Sequence, residues 1–258
     1  MASASSSRER MQIAGPMLLL CAAMATSAAG LDITATPCGS AFGLSGDQIS
    51  QRLAVRNAQR AQHLHNFESQ RQYTLDDTGF PSSRSAEMKV KVYYQAPGTK
   101  SFTVLSEGGS RLILTHVFHK LLESEQESSI DAKNRDGVAL TSDNYRFSLR
   151  GCEVDAGRNL YVLEVEPLRD TKFLYRGTIW VDAQDFAVTR IEGEPARNPS
   201  FWTKRSVIRH QYQKVGEFYL PVLNETVSEV RLGGKAVLTI RYQDYKLNQS
   251  AGDKSAGK

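Results

Sequence analysis

Residues 212–247 read YQKVGEFYLPVLNETVSEVRLGGKAVLTIRYQDYKL. Apolar and polar side chains alternate along this stretch, and glycines interrupt it at Gly216 and at Gly233-Gly234. Alternation with a period of two is typical of a strand with one buried face, and short glycine turns join antiparallel neighbours. The stretch therefore predicts strands at residues 217–220, 223–232 and 236–247.

The same pattern extends upstream from this stretch to Tyr145. It predicts strands at residues 145–149, 160–167, 172–182, 187–194 and 204–215. No helical pattern separates these strands, which argues against a parallel sheet built from βαβ units.

The first half of the chain mixes helices with strands. A helix is predicted at residues 47–65, with Ser45 or Asp47 as its N-cap, and a second at residues 110–128. Three strands are predicted between them, at residues 67–75, 86–95 and 100–106. The whole pattern predicts a mainly β fold with two helices (α+β), in which a curled antiparallel sheet forms an open half-barrel covered by amphipathic helices.

The N-terminal residues resemble an export signal. Arg8 and Arg10 precede a short apolar run, and small residues follow it up to Gly30. We therefore predict a signal peptide at residues 1–29 that is cleaved in the periplasm, an extended lead-in at 30–46, one domain at 47–248 and a disordered tail at 249–258. The net charge of +4 on 258 residues is spread along the chain, so no nucleic-acid partner is indicated.

Cysteine chemistry and catalytic motifs give few candidates. Cys38 and Cys152 are a possible disulfide in an oxidising compartment, although their spacing does not settle whether they meet. His116 and His119 lie one helical turn apart but form only half of a metal site, and Ser45 is not in a nucleophile-elbow motif. We therefore predict no catalytic residue, metal or cofactor, and a protein that is not an enzyme.

The loop ARNPSFW at residues 196–202 places Phe201 and Trp202 after two prolines. This pair is either a contact site for a membrane or a partner, or part of the core.

The order of helices and strands resembles that of the LolA-like carriers, the outer-membrane lipoprotein-sorting family, and the RseB-like periplasmic regulators. Two segments carry the resemblance: residues 174–195, LYRGTIWVDAQDFAVTRIEGEP, and residues 212–247, quoted above. The resemblance implies an open half-barrel with a hydrophobic cavity between sheet and helices. The residues that we predict to line this cavity come from both helix and strands: Leu112, Val117, Leu121, Val90, Val92, Trp180 and Tyr242.

The resemblance also implies a function. The expected protein is a periplasmic lipoprotein carrier, active in transport, that holds the acyl chain of a lipid or lipoprotein in the cavity and touches a membrane only transiently. The alternative is a sensor or regulator of the RseB type that reads lipid or an envelope protein partner. An enzyme and a purely structural envelope protein remain as further alternatives.

Overall fold

A computed structural model describes residues 43–79, 82–130, 136–198, 203–231 and 233–249. The predicted signal peptide, most of the predicted lead-in with Cys38, the pair Phe201 and Trp202, and the predicted tail beyond residue 249 lie outside these ranges. Within them, no helix is long and apolar enough to cross a membrane.

The described chain forms helices near its start and strands through most of its length. Helix α1 spans Gly46–His63, and a second helical unit consists of α2 (Arg111–Ile113), a π-helical turn (Leu114–Phe118) and α3 (His119–Ile130). We call this unit, residues 111–130, the bulged helix. The strands are β1 (Asn66–Asp77), β2 (Arg84–Gln95), β3 (Thr99–Gly109), β4 (Tyr145–Asp155), β5 (Arg158–Pro167), β6 (Tyr175–Asp182), β7 (Val188–Pro195), β8 (Thr203–Val215), β9 (Phe218–Val230) and β10 (Lys235–Leu247).

All ten strands belong to one antiparallel sheet in the order β3-β2-β1-β10-β9-β8-β7-β6-β5-β4. The edge strands β3 and β4 do not pair with each other, so the sheet is open rather than closed. The mainly β fold with two helical units is therefore confirmed.

One face of the sheet can be followed from strand to strand. Directly opposed residues of antiparallel strands project to the same side. A continuous line of such pairs runs from β2 to β4, through Met88, Tyr73, Ile240, Asn224, His210, Ile191, Ile179, Leu163 and Leu149. We call the face that carries this line the inner face, because both helical units pack on it.

Helix α1 packs at the β4 end of the inner face. Ser45 caps it, since its hydroxyl accepts from the Gln48 backbone while the Gln48 side chain accepts from the Ser45 backbone. Ile49 and Leu53 are fully buried among residues of β4–β7. Burying such side chains stabilises the fold by about 1.5–3 kcal/mol each.

The bulged helix packs at the opposite end of the inner face, on β1–β3. Phe118 is fully buried there, together with Met88, Val90 and Val92. The π-helical turn inserts an extra residue, so the apolar stripe differs from the predicted one. Leu114 and Phe118 face the sheet, whereas Leu112 is 52% exposed.

Strand lengths also differ from the prediction in the C-terminal half. The expected strands at residues 217–220 and 223–232 form one strand, β9, although Pro221 lies between them. Tyr212 pairs with Pro221 and Gln211 pairs with Leu223, so Val222 is an extra residue in a bulge. A bulge is one of the few places where a sheet accepts proline.

Candidate ligand-binding hollow

The middle of the inner face lies between the two helical units. Helix α1 packs on β4, and the bulged helix packs on β2 and β3, so β8, β9 and β10 form a floor between them. Side chains of this floor are mostly half-buried, unlike the fully buried cores at either end. This half-covered space is the candidate ligand-binding hollow.

The floor is more polar than the two cores beside it. At its centre Asn224 and His210 oppose each other on β9 and β8. The Asn224 amide nitrogen donates to the Tyr242 hydroxyl at 2.9 Å, and the Asn224 Oδ1 atom is buried without a partner. Burial lowers the pKa of His210, so the ring is neutral at pH 7.

A buried ionic cluster fastens the bulged helix to the sheet. Arg71 of β1, which is 5% exposed, donates two hydrogen bonds to Glu125 of α3, at 2.7 and 3.1 Å. Lys100 of β3 lies 2.7 Å from the same carboxylate. The Arg71 guanidinium also stacks 4.9 Å above the Tyr242 ring. Burial alone would raise the pKa of Glu125, but Arg71 and Lys100 hold it at about 2.

A pocket of about 620 Å³ with mostly apolar walls lies beside the bulged helix. Tyr94, Pro97 and Lys100 line it from the β2–β3 side, and α3 contributes Ser124, Glu125, Glu127 and Ser129. Val138 and Phe173 line it from the loops beside β4 and β6. Because residues of both ends of the sheet line one pocket, the sheet is curled. We call this space the mouth pocket.

The predicted cavity residues fall into different places. Val90 and Val92 are fully buried beneath the bulged helix, and Val117 is packed against the same core. Leu121 is 37% exposed and Leu112 is more exposed still. Tyr242 is the predicted residue that lies on the floor of the hollow, beside Asn224.

Trp180 does not share the inner face. It pairs with Val162 and Arg190, whereas its neighbours Ile179 and Val181 belong to the core under α1. Its indole nitrogen donates to Glu153 at 2.7 Å, and the Arg190 guanidinium stacks 3.8 Å above its ring. In an alternating strand the two faces are separate, so Trp180 lies outside the hollow.

Two further residues that the sequence analysis singled out, Cys152 and His119, lie in the described part of the chain. Cys152 of β4 is disulfide-bonded, and its pairing with Cys38 stays a prediction because Cys38 lies outside the described residues. The His119 ring lies 2.9 Å from Glu107. Among the described residues, no three His, Cys, Asp or Glu side chains are grouped as metal ligands.

Sequence reasoning missed the cluster of Arg71, Glu125 and Lys100. One signal was present in the alternation of β1, where Phe67, Ser69, Arg71, Tyr73 and Leu75 all occupy inward positions. A charged residue at an inward position of a strand requires a buried partner. The sequence does not show which carboxylate reaches it, because Glu125 lies 54 residues away.

Comparisons with known proteins find similar solved structures at low sequence identity. A DUF1329 family protein from Desulfovibrio piger is 15% identical, with 81% of this chain and 96% of that chain covered and a TM-score of 0.42. A putative outer membrane lipoprotein-sorting protein domain from Vibrio parahaemolyticus is 12% identical, with the same coverage and a TM-score of 0.41. A LolA superfamily protein from Nitrosomonas europaea is 11% identical, with 84% of this chain and 99% of that chain covered and a TM-score of 0.34.

These solved structures include proteins of the class that the sequence resembles. No protein-family model matches the chain, and no curated protein matches it. Since the TM-scores are below 0.5, function is argued from the residues of this chain alone.

Proposed function

We propose that this protein is a periplasmic carrier that binds the acyl chain of a lipid or lipoprotein in the hollow, with the mouth pocket as its entrance. The observation that carries the proposal is the mouth pocket itself. Its volume of about 620 Å³ lies within the range of roughly 300–1,000 Å³ that is common for small-molecule sites. Tyr94, Pro97, Val138 and Phe173 give it apolar walls.

Burial of an acyl chain supplies the affinity. Each methylene group transferred from water to an apolar site is favourable by about 0.8 kcal/mol. Phe173 and Val138 are 64% and 43% exposed without a ligand, so a chain that covers them removes further apolar surface from water. Binding in this way needs no catalytic group.

The test is displacement of a fluorescent fatty acid from the purified protein, with Phe173→Asp as the variant. The expected result is binding that is at least about tenfold weaker in the variant, because a charged side chain replaces an apolar wall of the pocket. Val154→Asp is the matched control, since Val154 is 70% exposed on β4 and does not line the mouth pocket. No binding of any fatty acid or lipopeptide by the unaltered protein would refute the proposal.

A second candidate is a sensor or regulator that binds an envelope protein. The observation that favours it is the exposure of three apolar side chains on the loops near β4–β6, namely Val138, Leu168 and Phe173. Val138 and Phe173 line the same pocket, and contiguous exposed apolar surface is typical of partner-binding sites. Stoichiometric recovery of a membrane regulator that Leu168→Asp abolishes would favour this function over the carrier.

A further inference from the structure

Helix α1 carries a second concave site on the side that faces the β6–β7 turn. A cleft of about 650 Å³ lies here, lined by Arg52, Arg56, Phe186 and the side chains of Gln48, Gln51 and Gln59. It shares no lining residue with the mouth pocket. We call it the α1 cleft.

The α1 cleft contains two cations and no lining carboxylate. Arg52 and Arg56 are four residues apart and therefore lie on the same side of the helix, where like charges repel. Within the described residues neither forms an ion pair with a carboxylate: Arg56 donates to the Gln59 side chain, and Arg52 lies over the Phe186 ring. Strand arginines such as Arg150 and Arg205, by contrast, each face a glutamate.

The turn between β6 and β7 supports one of these cations. Phe186 has a left-handed backbone with φ of 47°, which is uncommon for a bulky side chain. Its ring stacks on Tyr161 and lies 5.3 Å from the Arg52 guanidinium. Arg52 is thereby held at the cleft by an aromatic ring instead of by an acid.

Asp185, the acidic residue next to Phe186 in the sequence, already has hydrogen-bond partners. Asp185 accepts hydrogen bonds from Lys214 and the Tyr219 hydroxyl, while Arg60 donates to the Asp185 and Phe186 carbonyl groups. Asp185 therefore forms an ion pair with Lys214 and with neither Arg52 nor Arg56. The glutamine side chains add neutral hydrogen-bond donors to the cleft. Gln48, for example, uses its Oε1 atom as the acceptor in the helix cap, which leaves its amide nitrogen to donate to a ligand.

We propose that the α1 cleft binds a phosphate group, held by the guanidinium groups of Arg52 and Arg56 and by glutamine amides. Arginine forks match phosphate oxygens in geometry and charge. Two sources share this chemistry, the headgroup of an anionic phospholipid at a membrane surface and a free phosphate ester. Val55, which is 53% exposed beside the two arginines, provides an apolar contact for either.

The experiment compares the full-length protein with the double variant Arg52→Gln/Arg56→Gln. The probes are inorganic phosphate, glycerol 3-phosphate, and phosphatidylcholine vesicles with and without phosphatidylglycerol. The control is Arg146→Gln/Arg241→Gln, which removes the same charge from exposed strand positions. All four arginines are exposed, so both double variants should keep the fold, and thermal unfolding serves as the folding check.

The expected result is binding that weakens by about 30-fold in the α1 variant and little in the control. Selective binding of phosphatidylglycerol vesicles assigns the site to a lipid headgroup, and binding of the soluble esters assigns it to a free phosphate. Equal loss in both variants, full binding by the α1 variant, or no binding of any probe by the unaltered protein would overturn the proposal. Because Phe173→Asp leaves the α1 cleft intact, failure here is distinguishable from failure of acyl-chain binding.

Discussion

Replacing Glu125 by glutamine removes the negative charge that pairs the bulged helix with Arg71 and Lys100 of the sheet, and it keeps the shape of the side chain. Burial alone would raise the pKa of Glu125, but Arg71 and Lys100 lower it from 4.5 to about 2. Since each pKa unit corresponds to about 1.4 kcal/mol, the ionised carboxylate contributes about 3 kcal/mol to the free energy of unfolding at pH 7.

A second argument gives a similar magnitude. Removing one partner of a buried ion pair costs about 3–5 kcal/mol, because the other charge is left buried without compensation. Arg71 is 5% exposed, whereas Glu125 is 30% exposed and so partly solvated. We therefore expect a loss at the lower end of this range, about 3 kcal/mol.

The pH dependence of this effect has a definite sign. The folded pKa of Glu125 is below the unfolded one, so its stabilisation is fully present above pH 4.5 and is lost as the pH falls from 4.5 to about 2. The unaltered protein and the Glu125→Gln variant should therefore differ most near neutral pH and converge at low pH.

Urea unfolding across this pH range measures the effect. Glu123→Gln is the matched control, because its partner Lys120 is exposed on the same helix and an exposed pair contributes little. Equal losses in the two variants at pH 7 would refute the reasoning, as would a Glu125→Gln deficit that persists at pH 2.

Three further predictions concern the core, the strand spacing and one histidine. Met88→Ala should lower the free energy of unfolding by about 2–5 kcal/mol in urea titrations, whereas Leu105→Ala, at a residue that is 51% exposed, should change it by less than about 0.5 kcal/mol. Gly193→Ala should lower the free energy of unfolding by about 1–3 kcal/mol in the same assay, because the new Cβ would overlap the Arg176 carbonyl oxygen of β6. Gly108→Ala is its control, since a Cβ at Gly108 would meet no other atom. His210→Gln should flatten the loss of stability that occurs as the pH falls below 6.5, since burial lowers the pKa of His210 in the folded protein while the unfolded chain accepts the proton. An unchanged slope of stability against pH would contradict this.

Local patterns were sufficient to predict the strands and α1. The alternation of Met88, Val90 and Val92 with lysines predicted β2 and its buried face, and of the two predicted N-caps, Ser45 and Asp47, it is Ser45 that caps α1. In both cases the signal is carried by residues close together in the chain, so a single sequence contains it.

The buried face of the bulged helix and the partners in the ionic cluster could not be predicted from any short segment of the sequence. A period of 3.6 predicts one apolar stripe, made of Leu112, Ile113, Val117, Leu121 and Leu122. Ile113 and Leu122 are buried as this stripe requires, whereas Leu112 and Leu121 are exposed and the π-helical turn adds Leu114 and Phe118 to the buried side. The partner of Arg71 depends on where α3 lies over the sheet, which tertiary packing decides. Trp180 was predicted to line the cavity, but it belongs to a small buried cluster with Leu160 and Val162 on the opposite face of the sheet.

The position of β10 between β1 and β9 has a consequence for how the chain is made. Strand β1 is the first strand of the described residues, and its partner β10 is the last strand among them. A contact between such distant segments closes late, since the loop entropy must be overcome first. During most of translation, β1 therefore has β2 beside it but lacks its other neighbour. Until β10 is made, a nascent chain in this condition presents the edge of β1 as an unpaired strand edge.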